Sequence, residues 1–141
     1  MFRARYQVRV QWGDCDGARI IFYPNYFKMF DTSTHHLFEQ AGVPIPELME
    51  KYDFIGMPLV DAHSSFKSPS RWGDRLEVES HVAEWRRKSF VVRHVIWNGD
   101  VAAAEGEETR VWAKRPPDQP DGLMAGEIPA ELIARFEGIG E

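Results

Sequence analysis

Trp12-Gly13-Asp14-Cys15-Asp16-Gly17-Ala18-Arg19-Ile20-Ile21-Phe22-Tyr23-Pro24-Asn25-Tyr26 joins a strand to a helix, and the rest of the chain is organised around that junction. Before it, Tyr6, Val8 and Val10 alternate with Gln7 and Arg9, the pattern of a half-buried strand. After it, Pro24 suits a first helical turn, where its missing N–H has no intrahelical partner to lose. Tyr26, Phe30, Leu37 and Ala41 then recur at helical spacing, with Phe27 and Phe38 widening the stripe, and Gly42 and Pro44 end the helix after Ala41. So broad an aromatic seam predicts a helix enclosed by other structure. Two carboxylates, Asp14 and Asp16, sit in the crossing. The N–H groups ahead of a helix are free, and its dipole places partial positive charge there. A carboxylate facing such an end can attack a carbonyl, or activate water to do so, while those donors hold the oxygen.

Downstream, Pro46 to Tyr52 reads as a short helix. Strand-like regions follow over Phe54–Phe66 (with Gly56 near its start), Leu76–Ala83, Phe90–Trp97 and Val101–Lys114, the last small on one side through Ala102, Ala104 and Gly106. Trp72-Gly73-Asp74 and Asn98-Gly99 signal turns, the second a tight hairpin because both residues tolerate positive φ. Trp85 to Ser89 is a basic turn, Arg115 to Gly122 a loop by composition, and Pro129 to Phe136 a terminal helix. A strand, a helix and then a run of antiparallel strands is an α+β order, satisfied by a curved antiparallel sheet wrapped around the helix. The length predicts a single domain, 1–141, large enough for a real core.

The net charge of −5 argues against non-specific nucleic-acid binding, which needs a basic face. Cys15 is the only cysteine, so there is no internal disulfide framework, and a reducing cytoplasm suits the chain. Met1 to Arg5 lacks the apolar core of a signal peptide, and no apolar run reaches membrane-spanning length. The expectation is a soluble cytoplasmic protein with no nucleic-acid or membrane partner. His35, His36, His63, His81 and His94 show no zinc-site spacing, and no metal is expected. Neither a glycine-rich phosphate loop nor a serine nucleophile elbow is present.

Gly13-Asp14-Cys15-Asp16, Tyr23-Pro24-Asn25-Tyr26 with Asp31 after it, and Glu84-Trp85-Arg86-Arg87-Lys88-Ser89-Phe90 together resemble the 4-hydroxybenzoyl-coenzyme A thioesterase family of the hotdog fold. The match in order and spacing runs roughly from Tyr6 to Trp112. The resemblance implies hydrolysis of an (aryl)acyl-CoA to the free acid and CoA. It implies no cofactor, CoA being part of the substrate, and homodimers that pair into homotetramers with sites at subunit interfaces. It places the catalytic carboxylate at Asp16, as nucleophile or as general base on water, and the donor to the thioester oxygen at the Tyr23 backbone N–H. Asp31 holds the polar end of the acyl group, and Arg86, Arg87, Lys88 and Ser89 hold the CoA phosphates, for which arginine forks are well shaped. Gly56 is a further candidate for substrate contact, because a missing side chain lets a ligand approach the backbone. Asp14 reads as structural, bonded to loop N–H groups. The plain alternatives are a turn-capping Asp16, a core Tyr23, a solvated Asp31 and a solvated hairpin tip at Arg86–Ser89.

From its catalytic aspartate the family commonly reads Asp-x-x-Gly, whereas this chain reads Asp16-Gly17-Ala18-Arg19. Arg19 is therefore set among the substrate-binding residues, where it fills the acyl pocket, binds a carboxylated acyl group or pairs with Asp16. It also motivates an alternative: a non-catalytic acyl-CoA binding module. A hydratase on the same fold usually wants an Asp–His pair close in sequence, and no histidine follows Asp16 until His35.

Overall fold

The computed structural model of the protein describes residues 1–138, so residues 139–141 of the expected domain lie outside the described residues. The alternating start forms β1 (Arg3–Arg9), and the aromatic stripe forms α1 (Pro24–Gln40). There follow α2 (Ile45–Lys51), β2 (Leu59–Phe66), β3 (Arg75–Trp85), β4 (Ser89–Asn98), β5 (Val101–Val111), β6 (Ala113–Lys114), β7 (Met124–Ala125) and α3 (Ala130–Glu137). Five strands make one sheet in the order β1-β3-β4-β5-β2, antiparallel throughout. The chain thus leaves β1 at one edge, passes through α1 and α2, and returns as β2 at the other.

α1 buries Tyr26, Met29, Phe30, Leu37 and Phe38 against one sheet face. The apolar contacts fall into two clusters. Around the start of α1 lie Val10, Ile21, Tyr26, Phe30, Leu76, Val78, Ile96 and Ala104. Around its end, Leu37, Phe38 and Ala41 meet Val82, Phe90, Val92, Trp112, Leu132 and Phe136, the last two from α3. Between them runs a buried polar band of Thr34, Ser80, His94, Glu108 and Arg110. On the opposite face the sheet is charged: Arg5 pairs with Glu77 and Glu79, and Arg93 with Glu107. Gly106 belongs to the inward row because a Cβ there would come within 2.5 Å of the Phe30 ring.

The structure corrects three expectations. The last strand does not run unbroken to Lys114: β5 ends at Val111, and β6 turns away to pair with β7, a strand hidden in a Gly- and Pro-rich segment. Phe54 and Gly56 precede β2, with Phe54 packed on Trp112 at a ring separation of 4.2 Å and Gly56 bridging to Ala113. In the β4–β5 turn only Gly99 has positive φ, +64°, while Asn98 closes β4.

Candidate active site

Asp16 stands at the head of a tight turn. Cys15 and Ile21 pair across its base. Asp16 N–H donates to the Ile20 carbonyl at 3.0 Å, and Arg19 N–H donates to the Asp16 carbonyl at 2.9 Å. The Asp16 side chain is exposed, and its Oδ1 accepts the Ala18 N–H at 2.8 Å. This is the turn-capping bond of the plain reading, and it fixes one oxygen while the other stays turned out of the bond. Arg19 closes the turn with φ +65°, the one residue other than glycine with positive φ among the described residues. That backbone position explains why a glycine is natural there. The Arg19 guanidinium makes no ion pair among the described residues, with Asp16 or any other carboxylate.

Asp14 is structural. Its Oδ2 accepts the Gln11 N–H at 2.8 Å, and its carbonyl accepts from Phe22 N–H at 2.8 Å and Asn25 Nδ2 at 2.9 Å. The Asn25 bond ties the first helical turn to the loop, which gives Tyr23-Pro24-Asn25-Tyr26 a mechanical reason. Tyr26 anchors the turn in the core against Phe66, ring centroids 4.9 Å apart. Tyr23 is the residue preceding α1 and is exposed, not a core aromatic. Its N–H has no hydrogen-bond partner among the described residues, and Pro24 has no N–H to compete with it. An exposed carboxylate on the loop that leads into a helix start with a free donor is the kind of arrangement suited to attack on a carbonyl whose oxygen the donor and dipole stabilise.

Asp31 lies about two helical turns further on. Its side chain is 54 % exposed, yet Oδ1 accepts from Arg110 Nη2 at 2.8 Å, so it is not merely solvated. Arg110 rises from the core with its side chain 4 % exposed. It also donates to Glu108 Oε2 at 2.6 Å and to the Met57 carbonyl at 2.9 Å, next to Gly56. Gly56 itself has φ +146°, and the space where a Cβ would stand is open.

Behind Arg110, Glu108 Oε1 accepts from Thr34 Oγ1 at 2.5 Å and from His94 Nε2 at 2.8 Å, and His94 Nδ1 lies 2.6 Å from Ser80 Oγ. Burial alone would raise the Glu108 pKa. The hydrogen bonds and charges of His94 and Arg110 outweigh burial and hold it at about 2. The ionised carboxylate only accepts, so His94 Nε2 carries a proton. Sequence reasoning missed Arg110, Glu108 and His94. The available signal was their parity: Glu108 and Arg110 continue the inward row of Ala104 and Gly106, where a charge has no place unless partnered.

The basic turn lies elsewhere. The Asp16 loop packs on residues 70–74 at the entrance to β3, with Ile21 N–H on the Ser70 carbonyl and Gly73 N–H on the Val10 carbonyl, each at 2.9 Å. Arg86 to Ser89 follow the exit of β3. Eleven strand residues separate the two, roughly 33 Å at strand rise. Arg86 pairs with Glu84 at 3.0 Å, Arg87 donates through Nε to Glu127 at 2.7 Å, and Ser89 opens β4 with its carbonyl on the Arg86 N–H at 2.8 Å. Lys88 makes no ion pair among the described residues, and it lines a cleft of about 470 Å³ together with Arg87, Lys114, Tyr52 and Trp112. One chain therefore carries Asp16, Arg19 and Tyr23 on the loop and residue that lead into α1, connects Asp31 to the Gly56 region through Arg110, and leaves Arg86–Ser89 apart.

The thioesterase-like superfamily model matches residues 10–130. The 4-hydroxybenzoyl-CoA thioesterase of Pseudomonas sp. (strain CBS-3) is 35 % identical over 133 residues, spanning 90 % of this chain and 92 % of that protein. A crystal structure of a 4-hydroxybenzoyl-CoA thioesterase variant complexed with 4-hydroxybenzoyl-CoA superposes with a TM-score of 0.85 at 32 % identity, over 95 % of this chain and 98 % of that one. A gentisyl-coenzyme A thioesterase structure superposes with a TM-score of 0.81 at 35 % identity, over 92 % and 99 %. With the helix enclosed by the antiparallel sheet as these relatives have it, the chain belongs to the thioesterase-like superfamily, as a hotdog-fold acyl-CoA thioesterase of the 4-hydroxybenzoyl-CoA thioesterase family.

Proposed function

We propose that this thioesterase hydrolyses an aroyl-CoA bearing a ring hydroxyl, of the 4-hydroxybenzoyl or a related class. The observation that carries the reading is Asp31, a half-exposed carboxylate held by Arg110 about two helical turns beyond the Asp16–Tyr23 junction. A carboxylate so held is a hydrogen-bond acceptor for a hydroxyl at the far side of a ring whose thioester carbon faces Asp16. The similar proteins named for 4-hydroxybenzoyl- and gentisyl-CoA support the same class.

Asp16 attacks the thioester carbonyl or activates water, and the Tyr23 N–H at the start of α1 takes the developing oxyanion. Gly56 offers backbone to the bound acyl group, and Arg19 sits at the rim of the turn. Arg86, Arg87, Lys88 and Ser89 receive the CoA phosphates, with Lys88 poised and the arginines exchanging Glu84 and Glu127 for phosphate. The roughly 33 Å between that turn and the Asp16 loop supports a site shared between copies, the loop from one and the turn from another. An edge for such pairing is β2, whose outer side has no strand neighbour among the described residues and which exposes Leu59, Val60 and Phe66. We read a homodimer formed there, pairing further into a homotetramer and working in the cytoplasm.

The test is CoA release from a panel of aroyl and fatty acyl thioesters, run beside Asp16→Asn. Hydroxylated aroyl esters turn over fastest, and the variant loses about a hundredfold or more. A preference for fatty acyl esters removes the aroyl reading, and full activity in the variant removes Asp16 from the chemistry.

A further inference from the structure

We infer that Arg110, backed by the buried chain Glu108, His94 and Thr34, is the positioning residue that sets this enzyme's preference for acyl groups with a ring hydroxyl. The inference deepens the proposed function and rests on its assignment of Asp31 to the acyl group.

Asp31 alone is a poor selector. A carboxylate on an exposed helix face changes rotamer freely and binds water as well as it binds a phenol. Here one of its oxygens is bonded at 2.8 Å to a guanidinium that cannot itself move. Arg110 is fixed at three acceptors: Asp31 on α1, Glu108 beside it on β5, and the Met57 carbonyl ahead of β2. Glu108 is fixed in turn by His94 on β4 and Thr34 on α1, at 2.8 and 2.5 Å. Every member but Asp31 is buried. The guanidinium keeps its Nε buried without a partner among the described residues, so its placement follows the three acceptors and not its own full satisfaction. The chain thus spans from the core to a single half-exposed oxygen pair. It also holds the carbonyl next to Gly56, so both elements assigned to the acyl group hang on one side chain.

The chemical consequence is selection by donor. Bonded to the Arg110 guanidinium, the Asp31 carboxylate presents its remaining oxygen as a hydrogen-bond acceptor. A ring hydroxyl supplies the donor it lacks, a bare ring leaves it unpaired, and a ring carboxylate repels it. A site built to hydrogen-bond a hydroxyl rejects the analogue without one far more strongly than an apolar pocket rejects a change in size.

The readout is the ratio of kcat/KM for 4-hydroxybenzoyl-CoA to that for benzoyl-CoA, which a purely structural role leaves unchanged. We expect about tenfold or more in the unaltered protein, the weight of one hydrogen bond to a charged group. Asp31→Asn brings the ratio near one. Arg110→Lys keeps the charge but cannot bridge the three acceptors, and lowers the ratio about as far while benzoyl-CoA hydrolysis falls much less. Asp31→Asn with Arg110→Lys has no lower ratio than Asp31→Asn alone, as two changes in one coupled unit require. If Arg110→Lys does not fold, Thr34→Val removes one hydroxyl from Glu108, keeps every charge, and lowers the ratio about threefold. Equal losses on both esters in Arg110→Lys or Thr34→Val, or an unchanged ratio where Asp31→Asn collapses it, overturn the inference alone. A ratio indifferent to Asp31→Asn overturns the assignment of Asp31 and the inference with it.

Discussion

Replacing Arg19 by glycine stabilises this protein. Arg19 sits at φ +65° to close the Asp16 turn, a conformation that costs a residue with a Cβ about 1–2 kcal/mol. Glycine removes that cost but gives the unfolded chain more freedom, worth about 0.4–1 kcal/mol in the other direction. The guanidinium offers no compensating ion pair among the described residues, so the balance favours Arg19→Gly by about 1 kcal/mol. For a chain of this size that is a rise in Tm of about 3–5 °C. Arg19→Ala is the control, because it discards the side chain and keeps the strain, and it should lie within about 0.5 kcal/mol of the parent. The assay is urea unfolding followed by circular dichroism at one protein concentration, since any assembly makes stability depend on it. Thioester hydrolysis in Arg19→Gly should persist, as Asp16 keeps both its backbone bonds and the Ala18 cap. An Arg19→Gly protein no more stable than Arg19→Ala refutes the argument from backbone strain. Loss of turnover in both variants shows instead that the cation serves the substrate.

Gly106→Ala drives a methyl group into the Phe30 ring, which is fully buried and stacked 4.8 Å from His94; a loss of about 1–3 kcal/mol in urea unfolding checks the packing. Lys88→Ala raises KM for acyl-CoA severalfold with kcat little changed, and the effect shrinks in high salt as expected for a phosphate contact. Burial, with the charges of Arg3 and Arg93, lowers the His81 pKa to about 4. The unfolded chain then takes up a proton that the fold refuses, so stability present above about pH 6.5 declines between 6.5 and 4, by up to about 3 kcal/mol. His81→Gln flattens that limb of the unfolding curve. Glu108, depressed to about 2, adds a second loss only as pH falls below about 4.5, and Glu108→Gln should abolish it.

The helix, the five strands of the main sheet and the junction were legible because each rests on local periodicity or on a residue with one conformational use. Pro24 and the Tyr26–Phe38 stripe specified α1 to within a residue of its end. The turn position of Asp16, the place of Tyr23 ahead of α1 and the loop bonds of Asp14 were legible because loop geometry and helix start are encoded within a dozen residues. β6 and β7 were not, since a two-residue pairing between Ala113-Lys114 and Met124-Ala125 has no period to detect. Asp31 read equally as an acyl-group contact and as a solvated helix residue, and what sequence could not show was its partner, Arg110, far away in sequence and reaching it only through the tertiary fold. The basic turn was legible as a cluster, but its separation from Asp16 along β3 is a property of the sheet, and its two arginines had carboxylate partners that composition does not reveal.

The buried polar band between the two apolar clusters also decides which pairing of strands the chain accepts. A slip of β5 by one residue along β4 would turn its apolar row to solvent and is forbidden by hydrophobicity. A slip by two residues keeps every apolar residue facing inward, and on that ground alone would pass. It would set Arg110 opposite Val92, where Glu108 now pairs, and would pull Glu108 off His94 and Thr34. An unpaired charge left in the core costs about 3–5 kcal/mol, a large part of a small domain's whole stability. The band therefore acts as a tooth that lets the sheet close in one alignment only, and a chain with His94, Glu108 and Arg110 all replaced by well-packed apolar residues should fold with several alignments in competition.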